Sequence, residues 1–330
     1  MATVGTVLTL ADWAKHNDPD GKIAKVIEIL NEVNEVLDDM VWVEGNLPTG
    51  HLHTIRGGLP TPTWRLLNYG VPVTKSQVKQ ITDTVGILED YAQVDKDLAM
   101  LNGNTEAFRL SQDRAHIEGM SQTLANTLFY GNQASDPEQF TGLSPRFNDL
   151  SAENAENIIT GDGTGSDNTS VWLIVWGDRS CFGLYPKGSK AGLLAEDLGE
   201  ETLRDSNTPT GLYQGYRSHY QWKAGLGVSD WRYIVRIANI DISNLTKNAA
   251  TGSDLVDLMT QALEIPPSLK AGKATFYCNK TIRSFLRRQI KNSNNVNITM
   301  EQVAGKMVTY FDEVPVKRCD ALLNTEAIVS

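Results

Sequence analysis

Between residues 104 and 130 the chain spells one uninterrupted amphipathic helix, NTEAFRLSQDRAHIEGMSQTLANTLFY. Asn104 or Thr105 can cap it, and Glu106 in the first turn suits the positive end of the helix dipole. Leu110, Ile117, Met120, Leu124 and Leu128 recur at helical steps and form one stripe, while Gln112, Arg114, Glu118 and Gln122 face away. Gly131 follows as a terminating residue. At 1.5 Å per residue such a helix runs about 40 Å. That is long for a helix folded into a compact enzyme domain, and it predicts a strut.

A second constraint lies upstream, in EGNLPTGHLHTIRGGLPTPTWRLLN (residues 44–68). It is too rich in glycine and proline for a helix. It predicts two short extended segments folded back on each other, with Gly57-Gly58 as the tip. Pro60 and Pro62 limit strand pairing along the edge. Leu52, Ile55, Leu59 and Trp64 have no evident intrachain core to join. His51 and His53 project to one side of a strand, where two zinc ligands could stand. A metal-dependent hydrolase would need a third ligand, and His16, His116 and His219 are scattered. Exposed hairpin histidines are the plainer reading.

Elsewhere the pattern mixes both periods. Residues 21–40 step Ile23, Val26, Ile27, Leu30, Val33 and Leu37 along a helix face. Residues 79–90 alternate, with Ile81, Val85 and Ile87 on one face of a strand. SVWLIVWG (170–177) is a buried strand, 178–229 is turn-rich with aromatic pieces, and 231–242 is another strand. A helix at 254–263, a strand at 274–278, a helix at 280–291 and short strands near 307–311 and 314–318 complete the chain. Strands and segregated helices predict an α+β fold, not a doubly wound sheet.

The 330 residues have no run of eighteen apolar residues, so no membrane span is expected, and no signal peptide is visible. Cys181, Cys278 and Cys319 are widely spaced, which argues for a reducing compartment. A net charge of −10 argues against a protein built to grip nucleic acid. Arg283, Arg287, Arg288 and Lys291 then read as a solvated helix face. GDGTGSDN (161–168) lacks the following helix of a phosphate loop, and Asp162, Asp167 and Asn168 make a turn more readily than a calcium site. No nucleophile motif is present. No catalytic, cofactor-binding or metal residue is assigned, and no enzyme is expected.

Several blocks together resemble the major capsid proteins of tailed double-stranded DNA bacteriophages, with the Hong Kong 97-like fold. VEGNLPTGHLHTIRGGLPTPTWRLLNYGV resembles the extended loop (E-loop) that such subunits lay across a neighbour. TDTVGILEDYAQVDKDLAML and FRLSQDRAHIEGMSQTLANTLFYGN resemble the peripheral domain and its spine helix. VWGDRSCFGLYPKG and DWRYIVRIANIDI resemble its remaining strands, and DLVDLMTQALEI, ATFYCNKTIRSFLRRQI and GKMVTYFDEVPVKRCDALLN resemble the axial domain.

The resemblance covers residues 22–326. It implies an N-terminal arm and helix (1–43), an E-loop (44–78), a peripheral domain with spine helix 104–130 (79–150), its remaining strands and loops (151–243) and an axial domain (244–330). Leu52, Ile55, Arg56, Gly57, Gly58, Leu59, Pro60, Pro62 and Trp64 are the implied inter-subunit arm. Placing the VWGDRS piece before the axial domain implies a rearranged chain order. The implied partner is the chain itself, as hexamers and pentamers of an icosahedral shell. Portal, scaffolding and cement or decoration proteins join it, and packaged double-stranded DNA is touched weakly and non-specifically. The implied location is the virion, after assembly in the host bacterial cytoplasm. A nanocompartment shell of the encapsulin type is the alternative of the same fold.

Overall fold

The computed structural model describes residues 32, 34–101, 104–204, 211–245, 254–292, 298–303 and 306–330. Among the described residues two compact units emerge, one within 87–125 and 192–223 and the other within 34–86, 126–191 and 224–330. Three of the boundaries fall inside long elements, β3 (Gln77–Asp95), α3 (Thr105–Tyr130) and β8 (Leu212–Val228).

The larger unit is organised on β5 (Asn168–Trp176), every residue of which is buried. A continuous apolar run with β-branched and aromatic residues dictates this, because both faces of such a strand must be covered. β5 pairs antiparallel with β9 (Ile234–Asp241) and with β10 (Lys273–Cys278). Beyond β10 come β13 (Val314–Arg318), β12 (Lys306–Phe311) and β11 (Ile298–Val303). β4 (Ile158–Thr160) lies along β9, and β6 (Cys181–Tyr185) pairs with β1 (Trp42–Glu44) and the end of β8. Parallel and antiparallel pairs coexist, so the sheet is mixed.

Two helices cover this sheet. α4 (Leu255–Glu264) is capped by Asp254, whose carboxylate accepts from Val256 N at 3.1 Å. α5 (Lys280–Asn292) starts at Asn279, whose side chain accepts from Ile282 N at 2.9 Å. Leu255, Met259, Ile282 and Leu286 pack with Val171, Leu173, Val235, Ile237 and Phe276 in one core. That core draws residues from both sides of the border expected at 243/244. Strands 168–185 and 234–241 are the centre of this unit.

Two buried charged groups in this unit, Asp39 and Arg236, are paired, as a low-dielectric interior requires. Asp39, in the short helix α1 (Val36–Asp39), takes Lys273, Lys317 Nζ at 2.6 Å and the Tyr277 hydroxyl at 2.7 Å. Arg236 on β9 pairs with Glu326 at 2.8 Å and donates to Phe147 O at 2.7 Å. Of the helix expected over 21–40, residues 21–31 and 33 lie outside the described residues; the described part is helical over Val36–Asp39 only.

In the smaller unit β7 (Leu193–Arg204) pairs antiparallel with β8 over Leu212–Trp222. Ala92, Met120 and Tyr220 form one cluster, and Val94, Ala99 and Phe108 another. α2 (Lys96–Met100) is capped by Asp95, which accepts from Asp97 N at 2.8 Å. The single apolar stripe expected on α3 is corrected here. Leu110 and Ile117 are 54% and 38% exposed, while Phe108, on the other side of the helix, is buried. The first turns are covered through Phe108 by Val94, Ala99 and Tyr216, so contact follows the neighbour present at each turn and not one angular face.

Candidate assembly arm

A β-hairpin belongs to the sheet unit. Asn46 opens it: its side chain accepts from Leu52 N at 2.8 Å and donates to Leu52 O at 2.7 Å, fixing the entry of the strand. β2 (Gly50–Gly58) then pairs antiparallel with the first part of β3, from Gly50 opposite Thr84 to Gly58 opposite Gln77. Arg56 and Gly57 lie in β2. Gly57-Gly58 is therefore not the tip, which corrects the expectation. The chain leaves the ladder after a register shift between Arg56 and Gly58 and runs through residues 59–76 without helix or strand. Pro60, Pro62 and Pro72 have no N–H to donate, so pairing cannot continue past Gly58.

Leu52 and Ile55 are half-buried in the hairpin, and the loop beyond it buries nothing. Trp64 and Val73 are wholly exposed, and Leu59, Leu66, Leu67 and Tyr69 nearly so. So many large apolar groups in one exposed segment mark an interaction surface.

The base of the hairpin is held by a buried carboxylate. Asp83 on β3 is 2% exposed. It pairs with Arg146 at 2.7 Å, accepts from Val228 N at 3.0 Å and faces His53 at 3.7 Å. Arg146 also donates to Thr141 O at 3.2 Å. The His51 and His53 rings lie 6.0 Å apart, and His51 meets Phe182 edge-on at 5.7 Å. Burial, then the neighbouring His53, pushes the His51 pKa down against the pull of Asp83.

These are partly buried histidines, not exposed hairpin ones. No group of three His, Cys, Asp or Glu is placed to hold a metal among the described residues. Asp83 and Arg146 escaped sequence analysis, although a signal existed. Asp83 has the same strand parity as Ile81 and Val85, so it belongs to the inward face on which those two were read.

The mixed α+β body thus carries a hairpin whose connecting loop exposes large apolar side chains. Against solved structures, a chain of the bacteriophage epsilon15 structure is 38% identical, with a TM-score of 0.79 and all of both chains covered. The bacteriophage JBD30 capsid follows at 11% identity and TM-score 0.48, with 97% of this chain and 96% of that one covered. An encapsulin complex from Synechococcus elongatus PCC 7942 shows 10% identity and TM-score 0.41, with 71% and 96% covered. No curated protein matches the chain. The family model described as major capsid protein GP7 matches residues 18–330.

The molecule is thus a shell protein of a bacteriophage head, with the α+β, Hong Kong 97-like fold. Within that class, the chain belongs to the major capsid protein GP7 family. Its family is structural, and its place is the icosahedral capsid of the virion, built by self-assembly.

Proposed function

We propose that residues 44–78 together with the start of β3 are the arm by which one subunit grips the next. The observation that carries this is the wholly exposed Trp64 within an apolar loop that packs on nothing of its own chain. Each 1,000 Å² of apolar surface buried under such arms is worth on the order of 25 kcal/mol gross, before ordering and association costs. Repeated around closed rings of five and six subunits, modest contacts sum to a stable container. On this reading Leu52, Ile55, Leu59 and Trp64 serve association, and α3 is the strut between contact regions.

Portal, scaffolding and cement or decoration proteins are the further partners, and assembly takes place in the host bacterial cytoplasm. Packaged double-stranded DNA is touched weakly, in keeping with the net charge of −10. A strong, salt-sensitive affinity of the free subunit for duplex DNA would contradict that. The subunit works without catalysis. His51 and His53 stabilise the arm's base in place of the hydrolase role, and a nanocompartment would enclose an enzyme in place of DNA.

The test is to replace residues 59–76 by Asn-Gly, a two-residue turn that lets β2 and β3 stay paired. Folded subunits that form no shells under negative-stain microscopy are the expected result. Shells of normal size and number overturn the arm assignment.

A further inference from the structure

The sheet unit carries a preformed cavity of about 370 Å³ between Tyr130 at the end of α3, residues 144–148 and the tail 323–329. Its floor is the Arg236–Glu326 pair at 2.8 Å, both side chains almost fully buried. Glu326 also accepts from the Tyr130 and Ser170 hydroxyls, so the floor is satisfied and close to neutral. Pro145, Leu323, Ala327 and Ile328 supply apolar walls. Leu323 and Ile328 are 45% and 50% exposed, large apolar groups left in water at the mouth.

The tail that forms one wall is firmly held. Asn239 donates to Val329 O and accepts from Val329 N, both at 2.9 Å. Glu326 N donates to Asn168 O at 2.9 Å, and the Thr169 hydroxyl to Leu323 O at 2.7 Å. A wall fixed in advance need not be ordered on binding, which removes a cost from association.

We propose that this cavity seats Trp64 from a second copy of the chain; the inference rests on the arm reading and names where the arm lands. The volume sits at the low end of the roughly 300–1,000 Å³ found for ligand pockets, room for one aromatic side chain and not for a helix or strand. Trp64 is the largest side chain of the exposed loop. Its indole offers an apolar face to Leu323 and Ile328 and an N–H to the polar lining of Asn132, Asn148 and Thr325. Charge agrees: Arg65 is exposed beside Trp64, and Asp149, whose carboxylate also accepts from Ser151, is exposed next in sequence to Asn148 of the lining. A central aromatic anchor with a charged pair at its rim is the usual energetic layout of a protein interface.

The test pairs Thr63→Cys with Thr325→Cys in one chain and treats its assembled shells with a short bismaleimide. The three native thiols are buried and stay silent. Covalent dimers and higher multiples on a denaturing gel are expected from the double variant and none from either single one. Shells whose chains remain monomeric overturn the proposal, whether the link closes within one chain or does not form. As a second measure, Ala327→Trp fills the cavity from its own chain. Unchanged thermal unfolding with at least tenfold fewer shells is expected, and a normal shell yield overturns the seat. If the loop-replaced chain is shell-less while Ala327→Trp assembles normally, the seat falls and the arm stands; shells from the loop-replaced chain defeat the arm itself.

Discussion

Asp83 and Arg146 meet at 2.7 Å at the root of the arm, with the carboxylate out of water and the guanidinium reaching from the segment after α3. Removing one member of a buried pair strands the other, at a cost of about 3–5 kcal/mol. Asp83→Ala should lower the urea midpoint of the free subunit accordingly. A loss under 1 kcal/mol would show that the pair does not hold the hairpin's base.

Asp39 supplies a pH dependence. Burial alone would raise its pKa, but hydrogen bonds from Lys273, Lys317 and Tyr277 outweigh that and hold it below the ordinary carboxylate value. A folded-state pKa below the unfolded one gives stability that is complete above about pH 4. That stability is lost as the pH falls through the folded value. Acid unfolding of the wild type should therefore be steeper below pH 4 than that of Asp39→Asn. Parallel acid-unfolding curves would contradict this.

The thiols should be silent. Cys181, Cys278 and Cys319 are buried thiols. Burial pushes the Cys278 thiol up to about 12 and the Cys181 thiol far above its usual range. Since the thiolate is the reactive form, Ellman's reagent at pH 8 should titrate none of them in the native subunit and all three in guanidinium. Rapid native labelling would argue against the core described.

Gly131 should resist enlargement. A Cβ there would lie 2.6 Å from Thr127 O and 2.6 Å from Phe140 O, both backbone atoms. Gly131→Ala should cost about 1–3 kcal/mol, visible as a lowered Tm. The glycine was read from sequence as a helix terminator, and it does follow α3. Its requirement is close approach of the returning chain, since it is not among the glycines with positive φ.

What the sequence disclosed follows how local each signal was. α3 and β5 were legible because a helical run with caps and an unbroken apolar run need no partner to be recognised. The β7–β8 hairpin was not, because LLAEDLGEETLR puts acidic residues where alternation should show, and its register shifts between Asp197 and Gly199. Gly57-Gly58 looked like a turn because glycine pairs often are. The true partner of β2 begins at Gln77, and only the fold reveals so distant a pairing. The cavity draws its lining from Tyr130, Arg236 and Glu326, which no spacing rule connects.

The exposed loop has a further consequence for how shells appear in time. On the arm reading, the free energy stored in covering Trp64, Leu66 and Leu67 is unavailable to a lone subunit and is released only by collision with another. Such a molecule behaves less like a folding chain than like a solute near saturation. Below a threshold concentration it stays dispersed. Above it, additional subunits go into closed particles, and the dissolved pool stops rising.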